Sequence, residues 1–323
     1  MMPTPTELAQ AFKAAIDRQD AAALTRLAKS YKALYERMQD KLDSYLLALS
    51  KLDAPTKAQA MRLTQYKKLM DALETELGKY AAYVEVEIRN NALAGVELAV
   101  KQTESYLRTL GYTMPATLPT RAIVNMLGFL QEDSPLWKRL SLLGPENARK
   151  VADSLLEAVA FGYNPAKTAK MFETAMGGGL TDAMRMSRTA QLYATREANR
   201  AMYVANEDVV EGWIWWSSLD SGTCMACAIE HGTFHTNDES MDSHYSCRCT
   251  SIPHVKGYEY DSQKGVDWFK ELDEKKQESM MGKSAFEAWK SGAFDLEDMA
   301  TRRHDDVYGE MLATKPLSEL IEN

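Results

Sequence analysis

All four cysteines of this 323-residue chain, Cys224, Cys227, Cys247 and Cys249, lie between Trp213 and Pro253. His231, His235 and His244 share that stretch, and His254 follows it. The order is C-x2-C, an intervening loop, then H-x2-C-x-C. Two thiolates separated by two residues fit one corner of a tetrahedral ion, because the backbone can turn over the metal with both sulfurs at about 2.3 Å. A second short-spaced pair some fifteen to twenty residues later supplies the opposite corner. The pattern predicts one structural Zn2+ ion. Disulfides are the competing use of four cysteines, but nothing in the chain suggests export, and intracellular disulfides are uncommon. Buried free thiols are the other, and the clustering argues against them. Five donors compete for four places: Cys224, Cys227, His244, Cys247 and Cys249. In an extended Cys247-Arg248-Cys249 the two thiols would point to opposite faces. One of His244, Cys247 and Cys249 then supports the site rather than ligating.

A catalytic zinc keeps an open position and needs an acid or base nearby. Glu230, His231 and His235 are the close candidates. The helix motif HExxH is absent, and the order of the deaminase signature, H-x-E before P-C-x-x-C, is not met. A thiolate-rich set fits a closed site. No catalytic residues are assigned, and His231 and His235 are read as polar surface or loop residues.

The run Asp220, Thr223, Cys224, Cys227, then Gly232 and Phe234, then His244, Cys247, Arg248, Cys249 and Pro253 resembles the Mu F-like phage head morphogenesis, or minor capsid, family. Order, residue type and spacing agree over residues 213–253, more loosely over about 80–300, and not in the first helices. Prolines often precede the histidine in that family; here Met241, Asp242 and Ser243 stand there. An Arg-Thr-Glu signature is common upstream, where this chain has Arg188-Thr189-Ala190. A role resting on that carboxylate does not carry over.

The elements that must position the cluster follow from periodicity. Thr4-Pro5-Thr6-Glu7 carries the signature of a capped helix start. Apolar residues at steps of three and four from Leu24 to Leu52, and again from Met70 to Val84, predict long amphipathic helices. Ala54-Pro55 interrupts them, so they should fold back as an antiparallel hairpin over residues 1–110. Shorter helices are expected at about 120–131, 135–143, 145–161, 165–176 and 181–205, with Gly177-Gly178-Gly179 as a break. Cations outnumber acids from Lys138 to Arg200, which reads as a solvated helical face. Val209 to Trp216 is β-branched and aromatic and predicts a strand, its tryptophans packed on a small core. Cys247 to Pro253 should return as a second strand, and short helices should follow Gly265. The fold class is mainly α with a small β-rich zinc-binding module: a long helical hairpin, then a helical α+β domain. The division expected is 1–110, an interaction arm; 111–300, the Mu F-like domain with its zinc module at 213–253; and 301–323, a peripheral polar extension.

A net charge of −8 argues against a surface coated in nucleic acid. No apolar run approaches a membrane span, and the first residues lack a signal peptide's pattern. The resemblance implies a non-catalytic phage minor head protein, made in the bacterial host cytoplasm. It would be carried in several copies inside the capsid near the portal, and would act in head assembly or DNA ejection. Its implied partners are the portal protein, capsid proteins and, weakly, DNA. The alternatives are a nucleic-acid-binding zinc protein and a zinc-dependent hydrolase.

Overall fold

The computed structural model describes residues 3–113, 115–121, 123, 134–260, 263–306 and 309–321. It is mainly helical, with a small antiparallel sheet and a Cys/His cluster. The long helices are α1 (Pro5–Leu49), α3 (Thr64–Thr109), α4 (Pro135–Ala160) and α5 (Pro165–Ala205), with the short α2 (Lys57–Arg62) between the first two. The start of α1 is the expected capping box. The Glu7 N–H donates to Thr4 Oγ1 at 3.2 Å, and the Thr4 N–H donates to the Glu7 carboxylate at 2.7 Å. α1 runs unbroken because neither glycine nor proline occurs between Pro5 and Pro55.

Two sequence-based breaks are absent. Pro145 lies inside α4, and the glycine triplet lies inside α5. Two glycines at these places, Gly144 beside the proline and Gly179 at the end of the triplet, are closely packed. A Cβ on Gly144 would sit 3.2 Å from the Leu77 carbonyl oxygen, and one on Gly179 would sit 3.0 Å from the Asn147 amide. These glycines let helices approach where a side chain would hold them apart. The expected helix at 120–131 lies largely outside the described residues.

The chain divides into two compact units that interleave along the sequence rather than following one another. One comprises Ala21–Asn91 and Leu130–Arg188. Its core takes Leu27, Tyr31, Leu34, Met38 and Tyr45 from α1, and Leu69, Leu73, Leu77, Tyr80 and Val84 from α3. The ion pairs Arg26–Glu87 at 2.8 Å and Arg37–Glu76 at 2.5 Å, and the ring contacts Tyr31–Tyr80 and Tyr45–Tyr66, run in opposite senses along the two helices.

The other unit comprises Met1–Asp20, Ala92–Phe129 and Thr189–Asn323. Its centre is strand β1 (Val210–Trp216), flanked antiparallel by the two-residue β2 (Phe234–His235) and by β3 (Thr250–Val255). The register sets Trp213 opposite His235, Ile214 opposite Ile252 and Trp216 opposite Thr250. All three tryptophans are buried, so the strand serves as core. Ala9, Phe12 and Ile16 of α1, Tyr106 and Leu107 of α3, and Leu110 just beyond it pack into that same core. The expected self-contained arm therefore shares its two ends with the unit that carries the cysteines.

Helices α6 (Met225–Glu230), α7 (Gly265–Glu271), α8 (Glu274–Met281) and α9 (Lys283–Lys290) precede a 3-10 turn at Leu296–Met299. The hairpin of β4 (Ala300–Asp305) and β5 (Gly309–Thr314) and the short α10 (Leu317–Ile321) close the described chain. This last part is more than a polar extension. Met311, Leu312 and Leu320 are buried, and the Leu312 N–H donates to the Asp242 carbonyl oxygen at 2.8 Å.

Candidate metal centre

The five sulfur and imidazole donors form two adjoining groups that share Cys227, and they come from two loops. Cys224 caps the N-terminus of α6, and its Sγ accepts the Cys227 N–H at 3.4 Å. That turn sets both thiols on one side. The second loop reaches them through His244, whose Nε2 lies 3.1 Å from Cys224 Sγ and 3.1 Å from Cys227 Sγ. The other ring nitrogen, Nδ1, donates to the Tyr245 carbonyl oxygen at 2.8 Å, which fixes Nε2 toward the sulfurs. Cys227 Sγ is 3.6 Å from Cys247 Sγ. Cys224, Cys227 and His244 form one group of mutually close donors; Cys227, Cys247 and Cys249 form a second. All four cysteines are free thiols.

The expectation that Cys247 and Cys249 point to opposite faces does not hold. Strand β3 begins only at Thr250. Before it, Ser246 takes a positive φ of 58°, and the chain turns so that the Cys249 N–H donates to Cys247 Sγ at 3.4 Å. A turn, unlike a strand, can set residues i and i+2 on one side. Cys249 Sγ is also 3.1 Å from Ser217 Oγ, whose hydroxyl donates to the Cys227 carbonyl oxygen at 2.7 Å.

The cluster's electrostatics suit a cation. Hydrogen bonding to Cys227, and then the His244 imidazole, pull the Cys224 thiol down to about 5 against the cost of burial. Burial opposes charge on His244, yet hydrogen bonds to Cys224 and Cys247 lift it to about 11. Burial opposes a Cys247 thiolate as well, but hydrogen bonds to Cys227 and Cys249 and the charge of Arg196 push that thiol well down. Burial holds the Cys249 thiol up at about 12, and hydrogen bonding to Cys224 raises Cys227. Thiolates gathered around a cationic imidazole are held by positive charge, which a divalent ion supplies more strongly. The donor set therefore fits a thiolate-binding metal such as zinc.

One face of α5 holds the second loop. Arg196 is buried, and its guanidinium donates to the Cys249 carbonyl oxygen at 2.7 and 3.0 Å and to the Cys247 carbonyl oxygen at 3.1 Å. It also bonds Ser243 Oγ. Thr189 Oγ1 accepts the Ser246 N–H at 3.0 Å, and the Tyr203 hydroxyl donates to the Ser251 carbonyl oxygen at 3.0 Å. The Asn199 amide lies 3.3 Å from Ser251 Oγ. Arg196 counts in the sequence among the cations of a solvated face, and its burial corrects that reading. The signal was present: Thr189, Leu192, Arg196, Asn199 and Tyr203 recur at helical spacing, a polar face broken by one leucine. Elsewhere on these helices the solvated reading fits better, with Lys150 on Asp182, Lys170 on Glu173 and Arg200 on Glu197.

Asp220 accepts a backbone N–H, from Gly222 at 2.9 Å. It also takes a two-pronged bond from Arg248 at 2.8 and 2.5 Å, which ties the two cysteine loops together. That bond is the main reason the Asp220 carboxyl falls to about 2.

The three catalytic candidates are engaged elsewhere. The Glu230 carboxylate is 3.1 Å from Arg302 and 3.5 Å from His235 Nε2. His235 stacks on Trp213 with ring centroids 4.2 Å apart, and its Nδ1 bonds Glu239 at 2.9 Å. His231 is buried, contrary to the surface placement expected, and its Nδ1 accepts the Ser217 N–H at 2.9 Å. Among the described residues, neither group of close metal donors includes Glu230, His231 or His235. No described helix is long and apolar enough to cross a membrane. Comparison with protein-family models, with curated proteins and with solved structures returned no match.

Proposed function

We propose that this chain is a phage minor head protein of the Mu F-like kind, non-catalytic, whose Cys/His cluster holds one structural zinc ion. The observation that carries the proposal is the use made of the motif. Cys224, Cys227 and His244 form one close group and Cys227, Cys247 and Cys249 another, joined through Cys227, and Asp220 and Arg248 tie the two loops that bear them. Gly232 takes a positive φ of 80° where the chain turns into β2. Each of these residues has an architectural task, which suits an assembly role.

Within the cluster the ligand set we favour is Cys224, Cys227, His244 and Cys247. Both Cys224 and Cys247 sulfurs accept a backbone N–H, a bond that stabilises a metal-bound thiolate. His244 Nε2 bridges toward the first pair, and Cys227 lies against Cys247. Cys249 bonds Ser217 instead and is the supporting fifth residue. Charge balance points the same way. A divalent ion on three thiolates leaves one net negative charge, which the buried Arg196 offsets; a fourth thiolate would leave a second charge uncompensated.

The paired stripes of α1 and α3 would serve as a hairpin arm that docks on a larger ring, with the portal as the expected partner and the capsid interior as the site of action. The test is co-purification with the portal protein encoded in the same genome, followed by mass spectrometry of mature particles. Recovery in both supports the reading. Absence from both, with a zinc-dependent hydrolytic activity in the purified protein, would replace it with the hydrolase alternative.

A further inference from the structure

A cleft of about 400 Å³ opens within the cysteine-bearing unit, lined by the first turns of α1 and by the chain that leaves β1. Lys13 and Asp17 come from the helix; Trp216 ends the strand and Ser218 and Leu219 follow it; His231 comes from the end of α6. Its size is that of a small-molecule site. Its chemistry is unusual for an incidental gap between elements. Lys13 is only 5% exposed, and lysine is seldom buried so far. The ammonium bonds Asp17, one turn along α1, and that bond uses one of its three protons. Asp17 remains partly exposed.

His231 is buried as deeply, at 4% exposed. Its Nδ1 accepts the Ser217 N–H, and burial lowers its pKa to about 4, so the ring is neutral at ordinary pH. In that state the proton sits on Nε2, which is a fixed donor. The lining of the cleft thus carries donors on two side chains, Lys13 and His231, and the one carboxylate lining it, that of Asp17, is already paired. Trp216 and Leu219 supply an apolar wall.

We propose that this cleft binds a small molecule bearing an oxyanion, a carboxylate or a phosphate, held by Lys13 and His231 with its apolar part against Trp216 and Leu219. The site is separate from the cysteine cluster and does not depend on the metal reading. Ser217, whose N–H fixes His231 and whose hydroxyl bonds the Cys227 carbonyl oxygen, lies between the two.

The 323-residue chain, as purified, should be titrated by calorimetry with inorganic phosphate and, separately, with benzoate. Saturable binding of either supports the proposal, and the preferred probe assigns the anion class. Lys13→Met keeps the aliphatic stem and removes the ammonium, and it should weaken binding at least about tenfold, as expected for loss of one charge-assisted hydrogen bond. Ala14→Trp, at an exposed position on the rim of the cleft, should abolish binding while leaving the melting temperature unchanged. If neither probe saturates by about 10 mM, or if both variants bind as the native chain does, the proposal is overturned.

Discussion

Arg196→Met isolates the contribution of the helix face that carries the second cysteine loop. The guanidinium makes three hydrogen bonds to the carbonyl oxygens of Cys247 and Cys249 and one to Ser243. Methionine keeps much of the aliphatic length and removes the charge and every donor. Charge-assisted bonds contribute about 1.5–3 kcal/mol each, but they do not add, and relief from burying a guanidinium offsets part of the loss. What remains is two buried carbonyl oxygens without these donors and a thiolate cluster without its cation. The expected net cost is about 3–5 kcal/mol in the metal-loaded protein, read from urea or guanidinium midpoints. Zinc affinity should fall by about 10–100-fold in competition with a chromogenic chelator, because the loop bearing His244 and Cys247 loses its anchor. Arg196→Lys should recover little, since a single ammonium cannot fork to three acceptors. If Arg196→Met leaves midpoint and zinc affinity unchanged, the loop is held by something else and the argument for this face fails.

Burial lowers the His235 pKa, but hydrogen bonds to Glu230 and Glu239 outweigh it and leave the pKa raised. Its stabilisation should therefore be complete below the unfolded value of about 6.5 and be lost as pH rises through the folded value. Stability measured across that range should fall more for the native chain than for Glu239→Gln. Gly265→Ala should lower the melting temperature by several degrees, because the new Cβ would lie 1.9 Å from the Ala228 carbonyl oxygen and force α7 away from α6. Deleting residues 1–20 should destabilise the cysteine-bearing unit, since Ala9, Phe12 and Ile16 are part of its core; urea unfolding followed by tryptophan fluorescence would detect it. An unchanged midpoint would mean that the arm separates cleanly after all.

Much of the site was legible because metal-ligand chemistry leaves a short-range trace. The spacing of Cys224 and Cys227, and of His244, Cys247 and Cys249, pointed to a common centre. The error over Cys247 and Cys249 came from extending β3 backward through a turn that depends on the φ of Ser246. Arg196 was visible as a cation but not as a buried one, since its acceptors are carbonyl oxygens some fifty residues away and carbonyls have no side-chain signature. The helix start at Thr4 was readable from its cap. The continuity of α4 through Pro145 and of α5 through its glycines was not, since the close approach at Gly144 and Gly179 is a long-range contact that local propensity does not report. The interleaved units are a property of long-range packing, where two ends of one amphipathic stripe face different neighbours.

The account rests most directly on the metal and its ligands. Elemental analysis of the purified protein, combined with zinc-edge X-ray absorption, measures both. We expect one zinc per chain, with three sulfurs at about 2.3 Å and one nitrogen at about 2.0 Å. Cys249→Ser should leave that shell intact, and Cys247→Ser should lose a sulfur and most of the metal. A metal-free protein with two disulfides, or a four-sulfur shell that Cys249→Ser disrupts, would contradict the assignment.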